Sequence, residues 1–479
     1  MLTNWKAWPA PVPAGSWYAA TVNRRSFLAT APALVSAHSL RAAAATRPNI
    51  IWILGEDMGK QLGCYGMPQA RTPNLDRMAA EGVRFDHCFC TGPVCSASRS
   101  AFNTGVYQIT TGAQNHRSHR KDGYRLPEGV DLISHRMQKA GYYTTNVRQI
   151  RGNVAGSGKT DFNFATEHAF DGPHWNGRKP GQPVYAQINF TAPHKGPQFP
   201  RARRENKVLV DPARLELPPY WPDHPVVRDE YANFLDAVNL LDSDVGVLWE
   251  EMKKDGLLDN ALVFFFGDNG RCLIRGKQWL YDAGISVPLL AWASGDAGRA
   301  LGLRAGTVRQ DLCVSLDITA TSLAAAGIET PKLFHGRPLF GKGAKPRPEI
   351  YAARDRCDMT VDRIRCVRTS RYKYIRNFMP DRPYTQYNHY IETSYPTLGV
   401  MKELYAAGKL NAVQSLFMAQ RKPDVELYDL RDDPYEVKNL AGSAAHGKVQ
   451  AELGAKLDKW LVAADDKGRF PEDPKAAEL

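Results

Sequence analysis

Two short polar segments that directly follow apolar runs carry side chains suited to metal binding. Glu56 and Asp57 come after one apolar run, and Asp268 and Asn269 come after another. Ligands of doubly wound sheets sit beyond the carboxyl ends of the strands. These four side chains could therefore converge into an all-oxygen site for Ca²⁺ or Mg²⁺. Each pair taken alone is more often a helix cap or a solvated turn.

A candidate nucleophile lies at the start of a predicted short helix. Cys95 begins a segment that ends at Gly105, so its side chain is expected beside free N–H groups at the positive end of the helix, with Arg99 one turn further on. This environment favours an anion, although a structural cysteine is the commoner alternative to a thiolate. His194 follows a third apolar run and is expected at the same edge of the sheet; a loop histidine fixed by Pro193 is the alternative.

Apolar runs and helical patterns alternate along most of the chain. Strands are predicted over 49–54, 142–147, 184–190, 262–266 and 287–292, and helices over 72–82, 132–140, 228–254 and 314–326. This alternation predicts a parallel sheet covered by helices on both faces.

The pattern of predicted elements changes after about residue 341. Short strand patterns follow at 349–353, 364–369, 372–377 and 425–429, and a last helix is predicted over 448–463. We therefore expect a catalytic domain over 46–340 and a smaller α+β subdomain over 341–479 with a short antiparallel sheet.

Composition limits the classes of partner. Hydrophobic residues make up 43% and charged residues 23% of the 479 residues, which predicts a folded globular protein. The net charge of +12 favours anionic partners, but no pattern of a nucleic-acid-binding module accompanies it, so no nucleic acid is expected. No run after Ala45 approaches the roughly 20 apolar residues of a membrane span, so no transmembrane segment is expected in the mature chain.

The first 45 residues are typical of an export signal. Arg24 and Arg25 form a twin-arginine pair that precedes a weakly apolar stretch and a run of alanines ending at Ala45. The twin-arginine export machinery is thus an expected partner, and the protein is expected to be periplasmic in a bacterium, or secreted.

The segment from Cys95 to Arg99 is followed by Asn103-Thr104-Gly105. This pattern resembles the Cys-x-Pro/Ala-x-Arg motif of the formylglycine-dependent sulfatases, which belong to the alkaline-phosphatase-like superfamily. Further segments resemble the same family in its order: 47–51, 72–76, 141–144, 268–270, 277–284, 426–430 and 433–436. Three departures are visible: Ala97 replaces the commoner Pro, Glu56 replaces Asp, and Asp161 stands where the family often has His.

The resemblance implies an α/β fold with a large mixed, mostly parallel sheet sandwiched by helices and a smaller C-terminal α+β domain. It also implies a chemistry for the candidate residues. Cys95 would be converted to formylglycine by a maturation enzyme, and Glu56, Asp57, Asp268 and Asn269 would bind Ca²⁺, or alternatively Mg²⁺. The formylglycine hydrate offers one hydroxyl to attack sulfur and a second that later expels sulfate.

Cationic side chains complete the implied site. Arg99, Lys159 and Lys277 would stabilise the sulfate oxygens, and His194 would protonate the leaving oxygen. His116 and Arg117 would line the substrate pocket, with a solvated loop as the alternative.

The implied substrate is a sulfated carbohydrate, with the sulfate group on an oxygen or, alternatively, on a nitrogen. Aromatic residues of the segment 371–390 could pack on sugar rings or simply cover the sheet: Tyr372, Tyr374, Tyr384, Tyr387, Tyr390. Two other functions stay open: a phosphonate or phosphate ester hydrolase of the same superfamily, and a non-catalytic protein that binds sulfated glycans.

Overall fold

The structure is a computed structural model that describes residues 47–150, 153–341 and 343–477. The predicted export signal over 1–45 lies outside the described residues. The described residues from Arg47 onward belong to one compact unit. Among them, no helix combines the length and the apolar character that crossing a bilayer requires.

A nine-stranded mixed sheet forms the centre of this unit. Its strands are β1 (Asn49–Gly55), β2 (Val83–Phe89), β3 (Tyr143–Ile150), β4 (Asn153–Ser157), β5 (Val184–Phe190), β6 (Ala261–Gly267), β7 (Ser286–Val287), β8 (Leu289–Ala293) and β9 (Thr307–Val314). Their order is β4-β3-β5-β1-β6-β8-β2-β7, with β9 paired to β2. The neighbours β3, β5, β1 and β6 are parallel. Every residue of β5 and β6 is buried, which explains why these strands are near-continuous apolar runs.

Eight helices accompany this part of the chain. They are α1 (Pro73–Glu81), α2 (Cys95–Thr104), α3 (Ile133–Lys139), α4 (Gln198–Glu205), α5 (Pro225–Lys254), α6 (Asp282–Ile285), α7 (Gly295–Leu301) and α8 (Ser315–Ala325). Helix α2 is buried along its whole length. It ends, as predicted, at Gly105, whose φ of 71° lies in the left-handed region and whose N–H bonds to Ala101 O.

A separate four-stranded antiparallel sheet follows, in the order β10 (Ile350–Arg354), β11 (Ile364–Arg368), β12 (Tyr372–Asn377) and β13 (Val425–Asp429). Helices α9 (His389–Ser394), α10 (Pro396–Ala406), α11 (Ala412–Ser415) and α12 (Gly447–Ala463) complete the C-terminal part. The predicted fold class, a mixed and mostly parallel sheet with helices and a small antiparallel sheet, is confirmed.

Two differences from the predicted elements concern the antiparallel side of the large sheet. The strand predicted over 287–292 is split at Pro288 into β7 and β8, because proline has no N–H for the ladder. Strands β2 and β9 were not predicted, since polar and charged residues interrupt both of them.

Candidate active site

Three parallel strands bring the candidate residues to one edge of the sheet. Gly55 at the end of β1 is in register with Phe190 of β5 and with Gly267 of β6. The segments that follow these strands therefore emerge together. They contain Glu56 and Asp57, His194, and Asp268 and Asn269, respectively.

Cys95 lies at the centre of this edge and is buried at the first position of α2. Its Sγ donates to Asp57 Oδ1 at 3.2 Å and accepts from Lys277 Nζ at 3.3 Å. Burial and the Asp57 charge raise the pKa of the Cys95 thiol well above its usual value. The helix N-terminus was expected to favour an anion here, but burial and the neighbouring carboxylates keep the unmodified thiol neutral.

The predicted metal ligands form an interlocked set. The Asp57 N–H donates to Asp268 Oδ1 at 2.9 Å, and Asn269 Nδ2 donates to Asp57 Oδ1 at 2.9 Å and to Asp268 Oδ1 at 2.7 Å. One oxygen each of Glu56 and Asp268 lies within 4.8 Å of the other and of Cys95 Sγ. Asn269 Oδ1 is buried and has no hydrogen-bond partner among the described residues. Carboxylate and amide oxygens are the donors that a hard cation takes, so these residues fit Ca²⁺ or Mg²⁺.

Each carboxylate of this set also contacts a cation. Lys277 Nζ donates to Asp57 Oδ2 at 2.7 Å, and Lys159 Nζ donates to Glu56. Burial raises the pKa of Asp57, but the charges of Lys277 and His194 outweigh it and hold the pKa well below its usual range. Burial likewise raises the pKa of Glu56, but the charges of Lys159, His194 and Arg99 together outweigh it and leave the pKa below its usual value. Both side chains are therefore carboxylates.

The two lysines are cations. Burial lowers the pKa of each, but the carboxylates of Glu56 and Asp161 raise that of Lys159, and the carboxylate of Asp57 raises that of Lys277, so both end above the normal value.

Arg99 is almost fully buried and held from two sides. Its Nε donates to Asp268 Oδ2 at 2.9 Å, and its Nη1 donates to Asn189 Oδ1 at 2.8 Å. Its Nη2 is buried without a hydrogen-bond partner among the described residues, so one donor remains for a ligand. Asn189 was not among the predicted residues; a polar side chain inside the apolar run of β5 was the signal for it.

His194 is the more open member of the set, with 29% of its side chain exposed. Its Nε2 lies 3.5 Å from Asp57 Oδ2, and its Nδ1 lies 2.9 Å from Lys195 O. The ring of Tyr390 is centred 6.3 Å from the His194 ring and 5.9 Å from Lys277 Nζ. Tyr390 is thus the residue of the aromatic segment that borders this site.

The residues after α2 border the same centre. Lys159 Nζ lies 3.2 Å from Asp161 Oδ2, so the aspartate that departs from the family pattern pairs with a predicted site residue. Arg117 donates its backbone N–H to Ser96 Oγ at 2.8 Å, while its side chain is half exposed.

His116 is buried and contacts the C-terminal part of the chain. Its Nδ1 lies 2.8 Å from Asp358 Oδ1, and its Nε2 has no hydrogen-bond partner within the described ranges. Burial lowers the pKa of His116 despite Asp358. Gln278 and Asn388 also donate to Asp358, at 3.2 and 3.3 Å. Asp358 was missed because it lies in a loop that no sequence pattern connects with α2.

Comparisons with known proteins agree on one family. The family model described as Sulfatase matches residues 48–328. An ulvan-active sulfatase of Formosa agariphila is 32% identical over 477 residues, which cover 89% of this chain and 76% of the relative. The N-acetylgalactosamine-6-sulfatase of Homo sapiens is 29% identical over 340 residues, covering 59% of this chain and 63% of the relative.

The fold is also shared with a phosphonate monoester hydrolase of Agrobacterium radiobacter. The TM-score is 0.61 at 16% identity, with 90% of this chain and 99% of that chain covered. At this identity the likeness concerns the fold alone.

Proposed function

The chain belongs to the sulfatase family and is a sulfuric ester hydrolase, and from that premise we propose that it removes sulfate from a carbohydrate, with Cys95 converted to formylglycine as its nucleophile. The observation that carries this proposal is the surrounding of Cys95. Lys277 contacts this buried side chain, and Lys159 and Arg99 contact Glu56 and Asp268, which each place one oxygen within 4.8 Å of Cys95 Sγ. A sulfate ester carries its negative charge on oxygens that such cations stabilise.

Each of these side chains would have a separate role in the reaction. Arg99 Nη2, which has no hydrogen-bond partner in the part of the chain that is described, is available to a sulfate oxygen. Lys277 lies 3.3 Å from the Cys95 Sγ and so also reaches the reacting group. His194 is open to solvent on one side and is suited to give a proton to the departing sugar oxygen.

A metal ion and formylglycine, both implied by the family, would assist these side chains in the reaction. Glu56, Asp57, Asp268 and Asn269 would hold Ca²⁺, or alternatively Mg²⁺, whose charge lowers the energy of the oxyanion transition state. Formylglycine, as its hydrate, would supply one hydroxyl that attacks sulfur and a second that allows sulfate to leave. The neutral, buried Cys95 thiol is a poor nucleophile itself, which favours a modified residue.

Maturation and export belong to the same proposal. A formylglycine-generating enzyme would act on Cys95 in the cytoplasm, and the signal over 1–45 would then direct the folded protein through the twin-arginine machinery to the periplasm or beyond. The division into a catalytic domain over 46–340 and a C-terminal subdomain over 341–479 likewise remains a proposal.

A carbohydrate substrate is supported by two relatives that are named for such substrates, the ulvan-active sulfatase and the N-acetylgalactosamine-6-sulfatase. The phosphonate hydrolase that shares the fold makes phosphonate or phosphate esters the second candidate substrates. A non-catalytic glycan-binding role is disfavoured, because every residue type that the reaction needs is present.

The test uses protein produced together with a maturation enzyme. We expect the peptide that contains Cys95 to lose sulfur and gain a carbonyl that reacts with a hydrazine probe. We expect the protein to release sulfate from a defined sulfated oligosaccharide at least ~100-fold faster than it cleaves an aryl phosphodiester, since the site is complementary to one transition state. Mass spectrometry and ion chromatography measure the two results.

Two cysteine variants control this experiment. Cys95→Ala should abolish both the probe reaction and sulfate release, whereas Cys64→Ala, at a partly exposed thiol outside the site, should keep both. Full activity with an unmodified Cys95 thiol would refute the nucleophile. Faster cleavage of the phosphodiester than of every sulfate ester tested would refute the substrate class.

A further inference from the structure

A cavity of about 310 Å³ lies near the catalytic edge of the sheet but is lined by none of the active-site residues described above. Segments after β1, within β2, after β6 and around α6 form its walls, together with residues of the C-terminal part. The walls carry four cationic side chains and two carboxylates: Lys60, Arg271, Arg275, Arg368, Asp282 and Glu436.

Both carboxylates of this cavity are already paired. Asp282 Oδ2 accepts from Arg368 Nη2 at 3.0 Å. Lys373, which is fully buried, lies 2.6 Å from Asp282 Oδ1 and 2.7 Å from Glu436 Oε1. Arg368 and Lys373 thus neutralise the two negative charges, and the other cations of the wall add a net positive charge.

Lys60, Arg271 and Arg275 have no carboxylate within ion-pair distance among the residues that the structure describes. Lys60 Nζ donates to the Asp86 carbonyl at 2.9 Å, and Arg271 donates to the Tyr220 hydroxyl. Arg275 donates through Nη1 to the Tyr435 carbonyl at 2.7 Å and through Nη2 to the Glu436 carbonyl. Arg271 and Arg275 are nevertheless buried. Burying a charge is costly unless an opposite charge compensates it.

Aromatic faces hold the two arginines in place. The Arg275 Cζ lies 3.6 Å from the centre of the Tyr281 ring, and the Arg271 Cζ lies 5.1 Å from the centre of the Trp221 ring. Arg275 also has a φ of 66°, in the left-handed region that arginine rarely adopts. Backbone strain of this kind persists where the surroundings fix it, and such positions cluster at ligand sites.

The cavity wall also contains buried polar atoms that lack partners. Arg271 Nε, His87 Nδ1 and Ser286 Oγ are buried, and none has a hydrogen-bond partner within the described part of the chain. Arg271 Nε and the Ser286 hydroxyl are donors. Buried polar groups are normally hydrogen-bonded, so these atoms point to a ligand that accepts hydrogen bonds.

We propose that this cavity binds a tetrahedral oxyanion, sulfate or phosphate, through Lys60, Arg271 and Arg275. Guanidinium groups bind the oxygens of such anions in a paired geometry, and several oxygens are needed to use donors that come from different walls. The anion has two possible sources: the free ion, or a second sulfate group on a carbohydrate chain. The site is separate from Cys95, so its test does not depend on the proposed reaction.

Sulfate binding to the purified full-length protein tests the proposal directly. Equilibrium dialysis with radiolabelled sulfate, at constant ionic strength adjusted with chloride, should detect one bound sulfate more in the wild type than in Lys60→Met. If the variant still binds this additional sulfate, its Kd should be at least ~10-fold higher than in the wild type, because losing one charged hydrogen bond weakens binding by about this factor. Lys409→Met, the same substitution at an exposed lysine, should bind sulfate as the wild type does.

A second measurement does not require a folded variant. Wild-type crystals soaked in selenate should show an anomalous peak within hydrogen-bond distance of Lys60 Nζ and of the Arg271 and Arg275 guanidinium groups. Equal sulfate binding by the wild type and Lys60→Met, or no selenate peak in this cavity, would overturn the proposal.

Kinetics then distinguish the two sources of the anion. If Lys60→Met raises KM for an oligosaccharide with several sulfates but not for nitrophenyl sulfate, the anion is a sulfate group of the substrate chain. If the variant loses sulfate binding and both KM values stay unchanged, the anion is the free ion. Both results support the site.

Discussion

Lys277 and Asp57 connect the proposed metal ligands with Cys95, the proposed nucleophile. Lys277 Nζ lies 2.7 Å from Asp57 Oδ2 and 3.3 Å from Cys95 Sγ, and Asp57 Oδ1 in turn accepts from the thiol. A change in charge at any of these groups is therefore felt by the other two. His194 stands apart, because it contacts the same carboxylate only at 3.5 Å and is partly exposed.

This position leads to a prediction for His194→Ala. General acid catalysis contributes about 10²- to 10⁴-fold when the leaving oxygen needs a proton. We expect the variant to lose at least ~100-fold in kcat/KM on a sulfated sugar, but less than ~10-fold on nitrophenyl sulfate, whose leaving group needs no proton. Initial rates on the two substrates measure this difference.

The control for this variant is His135→Ala, since the His135 ring bonds to the Glu167 carbonyl outside the site. It should lose little activity on either substrate. An equal loss on both substrates in His194→Ala would instead assign His194 a role in positioning.

At the residue scale, the sequence predicts the central residues of the candidate site better than the residues that hold them in place. Cys95, Asp57 and Asp268 follow strand ends or begin a helix, and their positions could be inferred from local patterns. Asn189 had only the weak local signal of a polar side chain inside the apolar run of β5, and Asp358 had none. Both act through contacts distant in sequence, Asn189 with Arg99 and Asp358 with His116.

Among the elements, α5 determines how α1 begins. Asp242 of α5 is buried, and its carboxylate accepts from the N–H groups of Leu75 at 2.8 Å and of Asn74 at 3.2 Å. These N–H groups lie in the first turn of α1, where the helix has no internal acceptors for them. Burial raises the pKa of Asp242 to about 6.

This raised pKa predicts how stability varies with pH. Between about pH 4 and pH 6 the folded protein retains a proton on Asp242 that the unfolded chain has lost, so the free energy of unfolding falls as pH rises through this window. A pKa difference of about two units corresponds to about 3 kcal/mol. Asp242→Asn should remove this part of the pH dependence.

Urea unfolding at a series of pH values between 4 and 6 measures the effect. Asp473→Asn, at an exposed aspartate, should unfold with the pH dependence of the wild type. A slope in Asp242→Asn equal to that of the wild type would show that Asp242 does not titrate in this window.

The large sheet illustrates which elements sequence patterns predict. Strands β1, β5 and β6 are buried on both faces and are continuous apolar runs, so their limits could be predicted closely. The strand β2 contains Arg84, Asp86 and His87, and β9 alternates between partly exposed and exposed residues over its first half. Such strands depend on pairing with each other, and the sequence does not display that pairing.

For the whole molecule, the two sheets are joined through buried polar contacts rather than through apolar surface alone. Tyr281, which follows Lys277 in the chain, donates to Glu426 of β13 at 2.8 Å. His116 contacts Asp358 from the other side. The described residues from Arg47 on form one compact unit, so we expect the proposed catalytic domain and C-terminal subdomain to unfold together.

A substitution of Lys373 in β12 tests whether the two parts of the chain unfold together. The Lys373 ammonium group is fully buried and contacts Asp282 and Glu436, while its Nζ donates to Leu280 O at 2.9 Å. Removing one partner of a buried ion pair costs about 3–5 kcal/mol because the remaining charges lose their compensation. Lys373→Met should therefore lower the melting temperature of one single calorimetric transition that includes both sheets.

Arg371→Met provides the matched control, because Arg371 pairs with Asp429 at the surface with 44% of its side chain exposed. Exposed pairs contribute little to stability, so this variant should melt close to the wild type. The buried contacts of Lys373 reach α6, which directly follows the segment that carries Lys277. A loss of stability at α6 should therefore also reduce activity at temperatures near the unfolding transition. Two separate transitions, with only one of them shifted by Lys373→Met, would mean that the parts before and after residue 341 fold independently.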